Sequence, residues 1–178
     1  MTLVAEKIVV TAKEFLNKLN INDSQEFNEP FFQNKIKEFN WELSFSASSI
    51  ACEIIWKKAL RGGGMVEGRK IDRLFSPSPV ATHSNFRGCK DFKTGNGPEP
   101  GSIVVWRRGC GWQGIMAIVT WVSEDKKSFD IIEAHVLQGS DNRFITLEEK
   151  KNRRADIPFK SDKFNILGLI YPPNREIT

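Results

Sequence analysis

Apolar residues at Leu3, Val4, Ile8, Ala12, Phe15, Leu16 and Leu19 recur three and four positions apart, the spacing of one face of an α-helix. The polar run Asn20-Ile-Asn-Asp-Ser24 ends it. Phe31, Phe32, Ile36 and Phe39 predict a second, short helix over about 29–39. Trp41 follows, and then the stretch around which the rest of the chain is arranged. Small hydroxyl residues lead into an apolar run that puts Ile50, Ile54 and Ile55 on one face and ends with Lys57 and Lys58 in the last turn, near Leu60. Ser46 or Ser48 is suited to cap the start, because a serine oxygen accepts the orphan backbone N–H groups of a first turn. Arg61-Gly-Gly-Gly64 breaks this helix; with no strand before the glycines and no Lys-Ser/Thr after them, they do not make a phosphate cradle. A loop and a short helix begun at Ser78-Pro79 come next, since proline is tolerated in a first turn.

Past Gly101 the period shortens from helical to alternating. Ile103–Trp106, Met116–Val122, Ser128–Glu133 and Asn165–Tyr171 read as strands, residues 143–147 as a further one, and Glu148–Arg154 as a charged, solvated loop. Helices first, over about 3–90, and an antiparallel sheet afterwards, over about 101–172, make an α+β chain that the length suits as one domain.

Composition narrows the function classes. A net charge of +4 is compatible with an anionic polymer such as bacterial cell wall or nucleic acid, but a solvated basic surface explains it as well. Three cysteines without a C-x-x-C pair, and two histidines, indicate neither a disulfide framework nor a metal site, and no cofactor motif is present. No apolar run reaches the ~18 residues of a membrane span, and no signal peptide is recognisable, so synthesis in a cytoplasm is expected.

Four phrases in the right order resemble the CHAP and NlpC/P60 peptidoglycan amidases and endopeptidases, papain-like enzymes, especially their phage-borne versions. Asn40-Trp41 followed by Ala47-Ser48-Ser49 is similar to the Gly-Trp … Trp-Cys-Ala that begins the family's nucleophile helix. Pro100-Gly-Ser-Ile-Val-Val-Trp106 resembles its Pro-Gly-Asp-Ile-Val-Val-Trp strand. Gly114-Ile-Met-Ala-Ile-Val-Thr120 resembles Gly-His-Val-Gly-Ile-Val-Thr, and Ile132-Glu133-Ala134-His135 resembles Ile-Glu-Gly-Asn. The likeness runs over about residues 5–172 and implies a papain-like fold, a peptidoglycan stem peptide or a protein partner, and a place in a phage particle or release by lysis.

The departures from the family fall on its chemistry. Such enzymes attack an amide with a thiolate, move the proton with a histidine and orient that histidine with a third polar residue. Here Ser48 stands for the cysteine, Ile115 for the histidine, and Glu133 and His135 lie at the third position. Isoleucine takes no proton, and losing members of such a unit costs orders of magnitude in rate. The resemblance therefore implies an inactive domain kept for binding or structure, with Ile115 packed against Ser48. Its cleft would be bordered by Ser48, Arg107, Arg108, Trp112, Gln113 and His135. The competing reading is an active hydrolase using Ser48 with His135, Glu133 orienting it, or using Cys110 beside Arg107 and Arg108. A third is nucleic-acid binding through Lys150–Arg154. Cys52 reads as core, Cys89 carries no role, His83 reads as structural, and Trp56 and Trp106 read as helix–sheet core.

Overall fold

The computed structural model describes residues 2–21, 43–60, 71–138, 143–154 and 164–173. The expected helix over 29–39, Trp41 and the glycine break after Leu60 lie outside these residues. Among those described, the order is α1 (Leu3–Ile21), α2 (Leu43–Leu60), α3 (Pro79–Gly88), β1 (Thr94–Gly95), β2 (Ile103–Arg108), β3 (Gly114–Val122), β4 (Ser128–Gln138), β5 (Arg143–Arg154) and β6 (Phe164–Ile170). The strands form one antiparallel sheet in the order β1-β6-β2-β3-β4-β5. The chain is thus α+β, helices before sheet.

The helix α2 lies at the centre. Every side chain from Ala47 to Trp56 is buried, so the helix is covered on all sides, and it packs on α1, α3, β3 and β4. Trp56 is fully buried, donates its indole N–H to the Gly101 carbonyl (3.2 Å) and meets the edges of Phe75 and Phe86. The close approach works because residue 101 is glycine. Its φ is +81°, and a Cβ there would sit 2.8 Å from the Ala5 Cα of α1. Glycine is equally required at 114, where a Cβ would meet the Trp106 carbonyl at 2.4 Å and Pro79 at 3.1 Å. That space lets the start of α3 lie over β3.

One apolar cluster joins all three helices to the near face of the sheet: Ile8, Phe15, Ile55, Trp56 and Phe86 against Ile103, Val105, Met116, Ile118, Ile132 and Leu147. A second occupies the opposite face, with Val104, Trp106, Ala117, Val119, Phe129, Ile131, Phe164 and Leu169. Alternation along each strand separates the two sets. Three register shifts, between Val105 and Trp106, Val119 and Trp121, and Phe129 and Ile131, interrupt the ladders.

Three expectations are corrected. The helix α2 begins at Leu43, so Ser48 lies inside it and does not cap it. Trp106 is buried, but in the far-face cluster and not between helix and sheet. Glu148–Arg154 is no loop: it is the second half of β5, paired with β4 from Ser128 to Glu133. Its residues, Glu148-Glu-Lys-Lys-Asn-Arg-Arg154, are charged or polar throughout, so the apolar alternation that marks a strand is missing while the pairing is not.

Candidate functional site

Ser48 is held where α2 crosses β3. Its side chain is buried, and its Oγ accepts the backbone N–H of Met116 at 3.2 Å. The neighbouring Ser49 donates from its Oγ to the Pro77 carbonyl at 3.1 Å, which fixes the segment leading into α3. A backbone N–H takes no proton from a hydroxyl, so this contact orients Ser48 without activating it. Cys52, one turn further along α2, is equally buried. Burial first, and then the Glu133 charge, push its thiol far above the ordinary range, so it stays protonated.

Ile115 does not pack on Ser48, contrary to the expectation from the sequence. Met116 faces the helices, and strand alternation turns Ile115 to the far face, where it packs on the cluster around Trp106. Glu133 and His135 follow the same rule on β4. Ile132 and Ala134 belong to the helix-side core, and Glu133 pairs with far-face Ala117. Ser48 and His135 therefore lie on opposite faces of the sheet, and the Ser48–His135 dyad is not assembled.

What the far face brings together instead is a charged cluster. Glu133 is only 4% exposed, and its carboxylate binds the Lys150 ammonium and lies 2.7 Å from His135 Nε2. Glu148 stands directly across from Glu133 on β5, with its Oε2 3.1 Å from the same His135 nitrogen. Burial pushes the Glu133 carboxyl up, but His135 and Lys150 outweigh this and hold it below the ordinary value. Lys150 is thus engaged in the sheet, and a basic loop over 150–154 is not formed.

The remaining residues expected to border a cleft, Arg107, Arg108, Trp112 and Gln113, lie on or beside the β2–β3 hairpin. Arg108 N–H bonds the Gln113 carbonyl at 2.9 Å to close the loop, with Gly109 at φ +55°. Arg107 Nε bonds the Gly109 carbonyl at 3.1 Å. Ser78 caps α3 by accepting the Ala81 N–H and donates its hydroxyl to the Trp112 carbonyl at 3.0 Å, which ties the loop to the helix start. Trp112 is 66% exposed, and Arg108 and Cys110 are exposed beside it. His83 is buried on α3 against Gly168 of β6, and Cys89 is half-buried. A cavity of about 570 Å³ lies elsewhere, between the start of α1 and residues 98–100 and 122–126, and none of these candidate residues lines it.

Sequence reasoning picked out Glu133 and His135 but missed their partners Glu148 and Lys150. The signal was there as two strands of matching Glu-x-His and Glu-x-Lys spacing, hidden by reading the second as a loop. Comparison with protein-family models, with curated proteins and with solved structures finds no match.

Proposed function

We propose that this chain is a CHAP/NlpC-P60-like, papain-like domain without hydrolytic activity, acting as a binding or structural module in a cell-wall or phage setting. One observation carries the reading: the residue at the family's nucleophile position, Ser48, is a buried hydroxyl bonded to the Met116 N–H, with the imidazole of His135 on the other side of the sheet. A hydroxyl without a base in reach is a poor nucleophile. The arrangement supports structural use of Ser48, where a small side chain that accepts one backbone N–H fits between helix and strand.

The surface best suited to a partner is the hairpin loop with exposed Trp112 and Arg108, because an aromatic face beside a guanidinium suits a peptide carboxylate or a sugar–peptide polymer. The test is to incubate the purified protein with cell-wall sacculi, measuring muropeptide release and co-sedimentation in parallel. The expected result is no release, together with binding that Trp112→Ala weakens by roughly ten-fold or more, as for an exposed aromatic anchor. Muropeptide release that Ser48→Ala abolishes would overturn the reading. Binding that Trp112→Ala leaves untouched would move the partner surface off the hairpin.

A further inference from the structure

The far-face cluster has a feature that ion pairing alone does not account for. Glu133 and Glu148 are a direct cross-strand pair, a placement in which two like charges destabilise a sheet unless a cation lies between them. One of them is almost completely buried, which makes an uncompensated charge costlier still. Two groups converge on the gap. The Lys150 ammonium contacts Glu133 and lies 3.6 Å from Glu148 Oε2. The His135 Nε2 lies 2.7 and 3.1 Å from the two carboxylates; the nitrogen is covered although the side chain is 38% exposed, and it makes no hydrogen bond of normal geometry with either. A ring nitrogen aimed between two carboxylate oxygens without a directed hydrogen bond is arranged as a metal ligand is.

We infer that Glu133, His135 and Glu148 form a binding site for a first-row divalent metal ion such as zinc, in competition with the Lys150 ammonium. Their ligand atoms all lie within 4.8 Å of one another. Ligands held about 2.0–2.2 Å from a tetrahedral zinc sit about 3.3–3.6 Å apart, so the two edges at His135, now 2.7 and 3.1 Å, have to open by less than an ångström. One imidazole and two carboxylates form a donor set that suits zinc, cobalt or manganese, and three protein ligands leave the remaining positions to water. Binding requires the neutral imidazole and expels the ammonium. Lys150 is on the edge of the cluster with 29% of its side chain exposed, so it can swing out to solvent. The site is independent of Ser48, being on the other face of the sheet, and stands whether or not the domain binds cell wall.

The competition gives the test its direction. Calorimetric titration of the full chain with zinc chloride should give one equivalent bound, and cobalt(II) should bind with the visible absorption of a low-symmetry site. Glu148→Gln, at a side chain 55% exposed and therefore tolerant of change, should weaken zinc by roughly ten-fold or more, as should His135→Ala. Lys150→Met should tighten it by roughly ten-fold, since removing a neighbouring positive charge favours a dication. An adventitious surface or thiol site predicts neither effect. Zinc binding unchanged in Glu148→Gln and His135→Ala, or lost in Cys110→Ser, would overturn the inference. So would a failure of both the native protein and Lys150→Met to bind, with urea midpoints confirming that each variant is folded.

Discussion

At the scale of single residues, the informative contrast is between Ser48 and the residues that flank it in the family-like phrase. A motif match says which residue stands at a position, but in a strand a shift of one residue reverses the face. Ile115 and Met116 show the consequence: Ile115, which the resemblance would set at a histidine position, points away from Ser48, and its neighbour points toward the helices. Introducing hydrolytic chemistry by Ser48→Cys with Ile115→His is therefore expected to fail, because the new imidazole would enter the far-face cluster. Muropeptide release by that double variant would show the strand in the opposite register. The structural role of Ser48 has its own test. Ser48→Ala leaves the buried Met116 N–H without its acceptor and is expected to cost about 1–3 kcal/mol in urea unfolding. A change near zero would mean that the N–H has another partner. Gly101→Ala is expected to be at least as severe, of the order of 1–3 kcal/mol for the positive φ before any clash with α1.

At the scale of elements, the legible parts of the fold were those whose periodicity reports burial on one side. The helix α1 alternates buried Ile8, Ala12 and Phe15 with exposed Lys7, Lys13 and Glu14, and its spacing alone locates it. The start of α3 was legible through chemistry, since Ser78-Pro79 is both a cap and a first turn. The start of α2 was not, because serines near a helix start read as caps even where, as at Ser48 and Ser49, their hydroxyls serve other segments. The strand β5 was half lost for a related reason: its second half pairs charge with charge on largely solvated side chains, so hydropathy carries no signal. This makes β5 a test of how the strand is held. Lys150→Ala removes the cation between two cross-strand carboxylates and is expected to destabilise by about 1–3 kcal/mol, with Glu133→Gln in the same background recovering part of it. Strict additivity of the two changes would mean that the pair is not coupled.

At the scale of the whole molecule, two buried titrating groups far apart in the fold shape its response to pH. His83 lies against β6, and burial first, with Arg87 adding, pulls its pKa below the ordinary 6.5. The folded protein therefore binds its proton less readily than the unfolded chain does, so unfolding takes up protons and stability falls as pH falls through the window below 6.5. Glu133 works lower down. Its pKa is held under 4.5, so its contribution is present above that value and is lost as pH drops through the folded-state value. At the alkaline end Lys57, paired with Glu53 and Asp72, is raised, and its contribution fades as pH climbs through the lysine range. The urea midpoint should thus decline in two separate acid stages. In His83→Gln the first stage should flatten while the second keeps its position, because His83 lies against β6 and Glu133 on β4, with β2 and β3 between them. Two parallel curves would mean that His83 is solvated in the folded chain, and that α3 packs less closely on β6 than the contact with Gly168 implies.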